Sequence, residues 1–512
     1  MKVVTAAEML IIETAAERGG MSLPSLMQRA GEAVARVTAD LADGGDVLIL
    51  IGPGKNGGDG LVCARALSTA AIRVTLYLYD RQLDELDGST GAAVVHEADD
   101  RSRRVLRGLV GNSTVVIDAL LGIGQSRPPD TSLTSILETI NTQRGPSTRG
   151  VAVDVPTGVG ADTGVVWNQA FRADVTVCMG FLKRGLLLHP GSDYCGQIRL
   201  IDLGFPPTAA TSIALSVPAA SDIAGMIPVR QPDSNKGSGG RVLVIAGSRD
   251  YAGAPVLASM AAYRIGAGLV QVAVTSSIQA AVAAHALEPI YLSLPEQDGR
   301  VSPDSLSLIA RALPSARAVV LGPGLGLSSE TISFVSSLVL DTKELERKPV
   351  VVDADGLNAL SQIPEWWRSK ASIVVTPHPG EMSRLTALKI EAIQADRVNI
   401  ALRYAAEWGH VVVLKGAGTV VAAPDGTASI NPTGGPNLAT AGTGDVLSGV
   451  IGGLLAQGCS PFDAAVCGAY LHGMAGDILR EEYGDAGTIA SDLHGVLPVA
   501  RLSTLREGGI AT

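Results

Sequence analysis

The feature that most constrains this fold is a recurring unit, a short aliphatic run that stops at a glycine or an acid. In the first part of the chain such runs fall at 47–51 (VLILI), 74–78, 115–117, 151–153 and 175–177. Each is too short for a helix and is bounded by turn residues, so it reads as a strand buried on both faces. The intervals between them are helix-like or polar. Strands alternating with crossovers specify a mostly parallel, doubly wound sheet with helices on both sides. Ligands of such sheets sit beyond the C-terminal strand ends, where Asp59, Asp118 and Asp154 fall. A second series at 242–245, 269–274, 318–321, 350–352, 373–375 and 411–414 repeats the logic. Between the two series, 205–240 is rich in Pro, Ala, Ser and Gly and reads as a linker and lead-in. Two tandem α/β domains are expected, 1–213 and 214–512.

Composition narrows the function classes. A chain of 512 residues can bury two sizeable cores, and 60 glycines with only 4% aromatic residues suit α/β domains with many tight turns. The net charge of −10 argues against a general nucleic-acid binder, though not against a local phosphate pocket. Five cysteines, an odd number without CxxC spacing, predict neither a disulfide framework nor a zinc site and fit a reducing cytosol. Glu8 and Glu13 interrupt any signal-like apolar stretch, and no apolar run reaches the ~18 residues of a membrane span. The expectation is a soluble, cytoplasmic protein with no membrane and no nucleic-acid partner. Thr5 to Glu8 forms a capping-box pattern ahead of one helix, and Pro24 opens a second.

Several motifs point to chemistry. Residues 52–60, GPGKNGGDG, follow the first strand and precede a helix expected at 61–70, with Asp80 about twenty residues on, the dinucleotide spacing. A plain Rossmann dehydrogenase therefore stays open here. Yet Asp59 would repel a pyrophosphate, and the polar tail better suits a cation and a sugar or amide. Residues 434–450, GGPNLATAGTGDVLSGV, place glycines ahead of an apolar helix, a loop whose N–H groups face an anion. Asp445 there reads either as a helix cap, stabilising by about 1 kcal/mol, or as an acid–base group beside developing charge. Lys415-Gly416-Ala417-Gly418-Thr419 follows a strand and suits a phosphate, and no Walker A motif occurs. His378, mounted between Pro377 and Pro379, reads as a binding residue. Asp353 and Asp355 either orient magnesium through water or form a solvated turn. His472 and Cys467 read as core packing.

GPGKNGGDG, DALLGIG (118–124) and VDVPTG (153–158) occur in the order of the NAD(P)H-hydrate epimerase family. NKG (235–237), GPGLG (322–326), VDADGLN (352–358), TPHPGE (376–381), KGAGT (415–419) and AGTGD (441–445) occur in that of the ADP-dependent NAD(P)H-hydrate dehydratases. Over nearly its whole length the chain resembles the fused bacterial NAD(P)H-hydrate repair enzymes. The resemblance implies an N-terminal Rossmann-like three-layer α/β/α domain and a C-terminal ribokinase-like α/β/α domain. The first would epimerise R- and S-NAD(P)HX at C6. The second would dehydrate S-NAD(P)HX to NAD(P)H with ADP, releasing AMP and phosphate.

In the epimerase half the resemblance assigns potassium to Asn56, Asp118 and Thr157, oxygen ligands suited to a hard cation. It lines the hydrate pocket with Lys55, Asn56, Gly57, Gly58 and Asp59, with Gly122, Ile123, Gly124, Gln125, Ser126, Arg127 and Pro128, and with Asp154. Arg127 would reach a phosphate. Asp154 is nominated as the acid–base group and Lys183 as a second candidate, against the plainer reading of a surface lysine. Lys55 departs from the family's usual Asn, while Asn56 stays aligned. In the dehydratase half, Ala254, Gly324, His378 and Asp445 would contact the hydrate, and Lys415, Gly416, Ala417, Gly418, Thr419 and Gly444 the nucleotide. Asp445 would take the hydroxyl proton, with Mg2+ and ADP as implied partners and a homo-oligomer as the implied assembly. The competing reading is a ribokinase-type kinase of a small hydroxylated metabolite with a non-catalytic N-terminal binding domain.

Overall fold

The structure, a computed structural model, describes residues 1–83 and 91–510. The chain folds as two compact units, Met1–Ser216 and Val217–Thr512.

The N-terminal unit runs β1 (Val3–Val4), α1 (Ala6–Arg18), α2 (Leu23–Ala42), β2 (Val47–Ile51), α3 (Lys55–Thr69), β3 (Val74–Leu78), β4 (Ala93–His96), α4 (Arg104–Asn112), β5 (Val115–Ala119), α5 (Thr131–Gln143), β6 (Arg149–Val153), β7 (Val175–Met179), β8 (Leu182–Lys183), β9 (Gln197–Ile201) and β10 (Leu215–Ser216). Seven strands pair in the order β4-β3-β2-β5-β6-β7-β9, all parallel. Strand β2 shows why the expected runs are aliphatic on every residue. Val47, Ile49 and Ile51 join the core beneath α2 and α3, while Leu48 and Leu50 join the one beneath α4 and α5. Helices therefore cover both faces, as expected. Thr5 Oγ1 accepts from Glu8 N and the Glu8 carboxylate accepts from Thr5 N, completing the expected capping box.

One expectation fails here. The helix after β2 begins at Lys55, not 61, so Asn56 to Gly60 form its first turns rather than a loop. The glycines are present for packing. A Cβ on Gly57 would lie 2.0 Å from Gly52 O, and one on Gly60 2.7 Å from the Ala119 and Ile51 side chains.

The C-terminal unit runs α6 (Ala220–Met226), β11 (Arg241–Ile245), α7 (Gly253–Ile265), β12 (Leu269–Thr275), α8 (Gln279–His285), β13 (Ile290–Leu294), the hairpin β14 (Glu296–Gln297) and β15 (Arg300–Val301), α9 (Leu306–Ala312), β16 (Ala318–Leu321), α10 (Ser329–Ser336), β17 (Pro349–Val352), α11 (Asp355–Leu360), β18 (Ser372–Val375), α12 (Pro379–Thr386), α13 (Ile390–Ala395), α14 (Arg397–Trp408), β19 (Val411–Leu414), β20 (Val420–Ala422), β21 (Ala428–Ile430), α15 (Thr443–Ala456), α16 (Pro461–Tyr483) and α17 (Asp492–Glu507). Its sheet is ordered β13-β12-β11-β16-β17-β18-β19-β20-β21, parallel as far as β19 and antiparallel beyond it. α7, α15 and α16 pack their aliphatic and small residues onto Val242, Val244, Val320, Val351 and Val374. The stretch read as a linker contains β10 and α6, whose Ile223 and Ala224 are fully buried. No helix among the described residues is long and apolar enough to cross a membrane.

Two candidate active sites

In the N-terminal unit the strand ends open into a cavity of about 870 Å3. One wall is apolar, built from Met9, Leu10, Leu26, Met27 and Phe205; the other carries Lys55, Asn56, Asp59, the 122–128 loop, Asp154 and Lys183. Most of the expected pocket residues are therefore brought together. Gly57 and Gly58 are not among the lining: they lie in the α3 wall, where a Cβ on Gly58 would meet Met27 at 2.6 Å.

Asp154 and Lys183 form one buried group. Lys183 is 1% exposed, which removes the surface-lysine reading, and its Nζ lies 2.5 Å from Asp154 Oδ1 and 2.6 Å from Met179 O. Burial alone would pull the ammonium down, but Asp154 and the Cys178 thiol beside it hold it above the usual lysine value. Asp154 follows β6 in a left-handed conformation, φ 66°, which brings its carboxylate under the Met179 N–H at 3.0 Å. Asp59, on the first turns of α3, is pushed well up by burial and by the nearby carboxylates of Asp154 and Glu13, with Lys183 and Lys55 opposing. At the rim Lys55 pairs with Glu13 at 3.0 Å, and Arg127 is exposed.

Beneath the cavity lies an oxygen cluster. Asp118 is fully buried and accepts from Thr157 N and Thr157 Oγ1, both at 2.7 Å, and from Leu120 N at 3.2 Å. Burial still raises its carboxyl to about 6, and among the described residues no cationic side chain faces it. Asn56 donates through Nδ2 to Leu121 O (2.8 Å) and Val153 O (3.0 Å), leaving Oδ1 beside Gly122. An uncompensated buried carboxylate among carbonyl, amide and hydroxyl oxygens fits a hard monovalent cation.

In the C-terminal unit Gly442, φ 89°, is the N-cap of α15, and Asp445 is that helix's third residue. The capping reading of Asp445 therefore falls. Its carboxylate makes no hydrogen bond among the described residues. It is raised to about 7, first by burial, then by Asp353, Asp355 and Glu381, with Lys415 opposing. Lys415 Nζ is engaged with Asp353 Oδ1 (2.7 Å) and lies 3.7 Å from Glu381, so its ammonium is held among carboxylates beside the 415–419 loop. Asp353 is 1% exposed and also accepts from Thr376 Oγ1 at 2.7 Å, which excludes the solvated turn at that position. Asp355 accepts from Gly326 N at 2.8 Å and Asn358 Nδ2 at 3.2 Å. No three His, Cys, Asp or Glu side chains converge as a metal set among the described residues.

His378 caps α12: its Nδ1 accepts from Gly380 N (3.0 Å) and Glu381 N (3.3 Å), while Glu381 Oε2 accepts from His378 N. About half of its side chain stays exposed. Ala254 and Gly324 meet closely, since a Cβ on Gly324 would lie 2.9 Å from the Ala254 methyl. Gly444 sits over Lys415, 3.3 Å from its would-be Cβ to Nζ. In the 415–419 loop the N–H groups of Gly416, Ala417 and Gly418 find no acceptor among the described residues.

Sequence reasoning missed three supporting residues. Arg81 donates to Gly52 O (3.0 Å) and Gly54 O (3.1 Å), clamping the turn before α3. Arg397 does the same behind the 415–419 loop. His472 is buried as expected, but its Nε2 lies 2.9 Å from Thr443 O, and burial lowers it to about 4. A neutral ring thus donates to the turn that carries Asp445. No local signal reveals these contacts, which join residues distant in sequence.

A family model described as YjeF-related protein N-terminus matches residues 24–185, and one described as NAD(P)H-hydrate dehydratase matches 242–498. The bifunctional NAD(P)H-hydrate repair enzyme Nnr of Thermofilum pendens is 38% identical over 520 residues, covering 99% of this chain and 97% of its own. The enzyme of the same name from Escherichia coli K12 is 36% identical, covering 94% and 90%. A solved Bacillus subtilis ADP/ATP-dependent NAD(P)H-hydrate dehydratase, co-crystallised with ATP/Mg2+, is 31% identical, covers 56% of this chain and 97% of its own, and superposes with a TM-score of 0.49.

Proposed function

This chain belongs to the family of bifunctional NAD(P)H-hydrate repair enzymes, and from that premise we propose how its two sites divide the work. The N-terminal site, in an epimerase domain of residues 1–213, interconverts the R and S forms of hydrated NADH and NADPH at C6. The C-terminal site, in a dehydratase domain of residues 214–512, converts the S form to NAD(P)H at the expense of ADP. One observation carries the reading: Asp445 is a largely buried carboxylate, free of hydrogen bonds among the described residues and raised to about 7, at the N-terminus of α15. A base needs that affinity for protons at neutral pH.

Asp445 takes the proton of the hydrate hydroxyl as its oxygen bonds to the β-phosphorus of ADP and AMP departs. The phosphorylated carbon then loses phosphate while the ring loses a proton, which restores the dihydronicotinamide. The N–H groups of Gly442 and Gly444 and those in the 416–418 loop face the transferring and remaining phosphates. Bound with the nucleotide, Mg2+ supplies charge neutralisation at those phosphates. Ala254, Gly324 and His378 shape the hydrate's seat.

In the N-terminal site Asp154 moves the proton at the ring, and Lys183 fixes its carboxylate. Arg127, exposed at the rim, reaches the substrate's phosphates. Asn56 Oδ1, the Asp118 carboxylate and Thr157 would hold K+, which supplies the positive charge that Asp118 lacks. The same reading takes the protein as a cytoplasmic homo-oligomer acting on small molecules.

The test is recovery of absorbance at 340 nm from mixed NADHX epimers with ADP, Mg2+ and K+. Full recovery supports both halves. A stall near the one-epimer fraction overturns the epimerase assignment, and a stable phosphorylated product returns the C-terminal half to a kinase.

A further inference from the structure

Arg397 opens α14 behind the 415–419 loop. It is 4% exposed, yet among the described residues no acidic side chain pairs with it, and burial alone lowers it to about 10. Its guanidinium is spent on neutral groups. Nη2 donates to Leu414 O (2.9 Å) and Lys415 O (3.2 Å), Nη1 donates to Gln394 Oε1 (2.6 Å), and Nε has no partner. A buried cation without a counter-charge is costly, and an apolar side chain of similar length would avoid that cost. The loop in front of it is built around the guanidinium. Gly416 has φ 140°, and a Cβ there would lie 3.1 Å from both Nη atoms. Thr419 Oγ1 closes the loop by donating to Gly416 O at 3.0 Å. The carbonyls at its entry thus turn inward onto Arg397, while the N–H groups at 416–418 are left without acceptors. N–H groups gathered over a buried positive charge form a seat for an anion.

We propose that Arg397 is the positioning residue of the nucleotide site: by holding the carbonyls of Leu414 and Lys415 it aims the loop's N–H groups at the polyphosphate, whose negative charge completes a pairing the protein leaves open. The inference rests on the reading of 415–419 as the nucleotide loop. It makes the phosphate chain, rather than the adenosine, the part of the ligand that Arg397 governs. Lys415 is paired with Asp353 and Glu381, whereas Arg397 has no carboxylate partner among the described residues.

The experiment compares Arg397→Met, Arg397→Lys and Gly416→Ala in the full-length enzyme, with ADP as the probe. Steady-state dehydration and ADP-induced thermal shift are both read. Arg397→Met is expected to raise the KM for ADP at least tenfold and to remove most of the thermal shift, with kcat and the KM for the hydrate within about twofold. Arg397→Lys keeps the charge and loses the fork, and should fall between. A role confined to folding would lower the melting temperature without ADP and leave the KM for ADP unchanged in the folded protein, which overturns the proposal. If Arg397→Met does not fold, Arg397→Lys decides: a threefold or larger rise in the KM for ADP supports the proposal, and an unchanged value overturns it. Gly416→Ala separates the two levels. If it weakens ADP while both Arg397 variants do not, the loop reading stands and the Arg397 inference falls. If none of the three changes ADP binding, both fall.

Discussion

Each unit sets a lysine among carboxylates, but the lysine grips a different partner. In the N-terminal site Lys183 sits directly on Asp154, the proposed acid–base group, at 2.5 Å. In the C-terminal site Lys415 sits on Asp353 and leaves Asp445 without a bond. The first arrangement fixes a carboxylate in place. The second isolates one, so burial and its acidic neighbours raise it to about 7. Fixing suits a group that must serve both faces of one carbon. Isolation suits a base that must accept a proton once, as a phosphoryl group arrives. The same pair of residue types thus yields two different tools, decided by which acid the ammonium touches.

The largest effect should come from Asp445→Asn, which removes the isolated base. Recovery of NADH should fall by about 10³-fold or more, while epimer interconversion followed by chromatography continues; loss of both activities would break the contrast. In the parent enzyme kcat/KM for dehydration should rise as pH increases through about 7, because Asp445 acts only when deprotonated. Next is Lys183→Met, which strips the buried partner from Asp154. Epimerisation should drop about 10²-fold, and the N-terminal unit should lose about 3–5 kcal/mol, read by denaturant unfolding. An unchanged stability would mean that the lysine does not hold the carboxylate. The smallest effect concerns Asp118. Its carboxyl rises from 3.8 to about 6 on folding, so the native state binds the extra proton and stability falls as pH climbs through that window. A K+ ion at the Asn56–Asp118–Thr157 cluster should offset this. The gain in melting temperature from KCl over choline chloride should be a few degrees at pH 8 and near zero at pH 4.5. Equal gains at both would remove the ion from Asp118.

Much of this was readable in advance, for physical reasons. Strands such as 47–51 announce themselves because both faces are buried and every residue must be aliphatic. Edge strands do not: β9, Gln197–Ile201, alternates polar and apolar residues, so no continuous run marks it. At the start of α3, Gly57, Gly58 and Gly60 signal a loop by propensity, whereas in the fold Gly57 and Gly60 let the helix approach the end of β2 and Gly58 lets it approach Met27 of α2. The acids at strand ends were legible from topology. Their settings were not. Lys183 finds Asp154 twenty-nine residues away, and Arg397 finds its carbonyls across a helix. Such contacts exist only once the chain has folded.

The glycines of α15 carry a consequence for how this enzyme can change over time. Gly449, Gly452 and Gly453 lie on the face of the helix that continues from Asp445. A Cβ on Gly449 would lie 2.1 Å from Ala258 O, one on Gly452 2.4 Å from Val320, and one on Gly453 2.4 Å from Ile265. With its backbone held this close to α7 and β16, the helix has no slack along that face to carry its carboxylate toward a hydroxyl held elsewhere. A lineage adapting to a new alcohol must therefore remodel the opposite wall and carry the substrate to the base. Random libraries should recover altered specificity from loops such as 250–252 and 324–327, and almost none from the buried glycine face of α15.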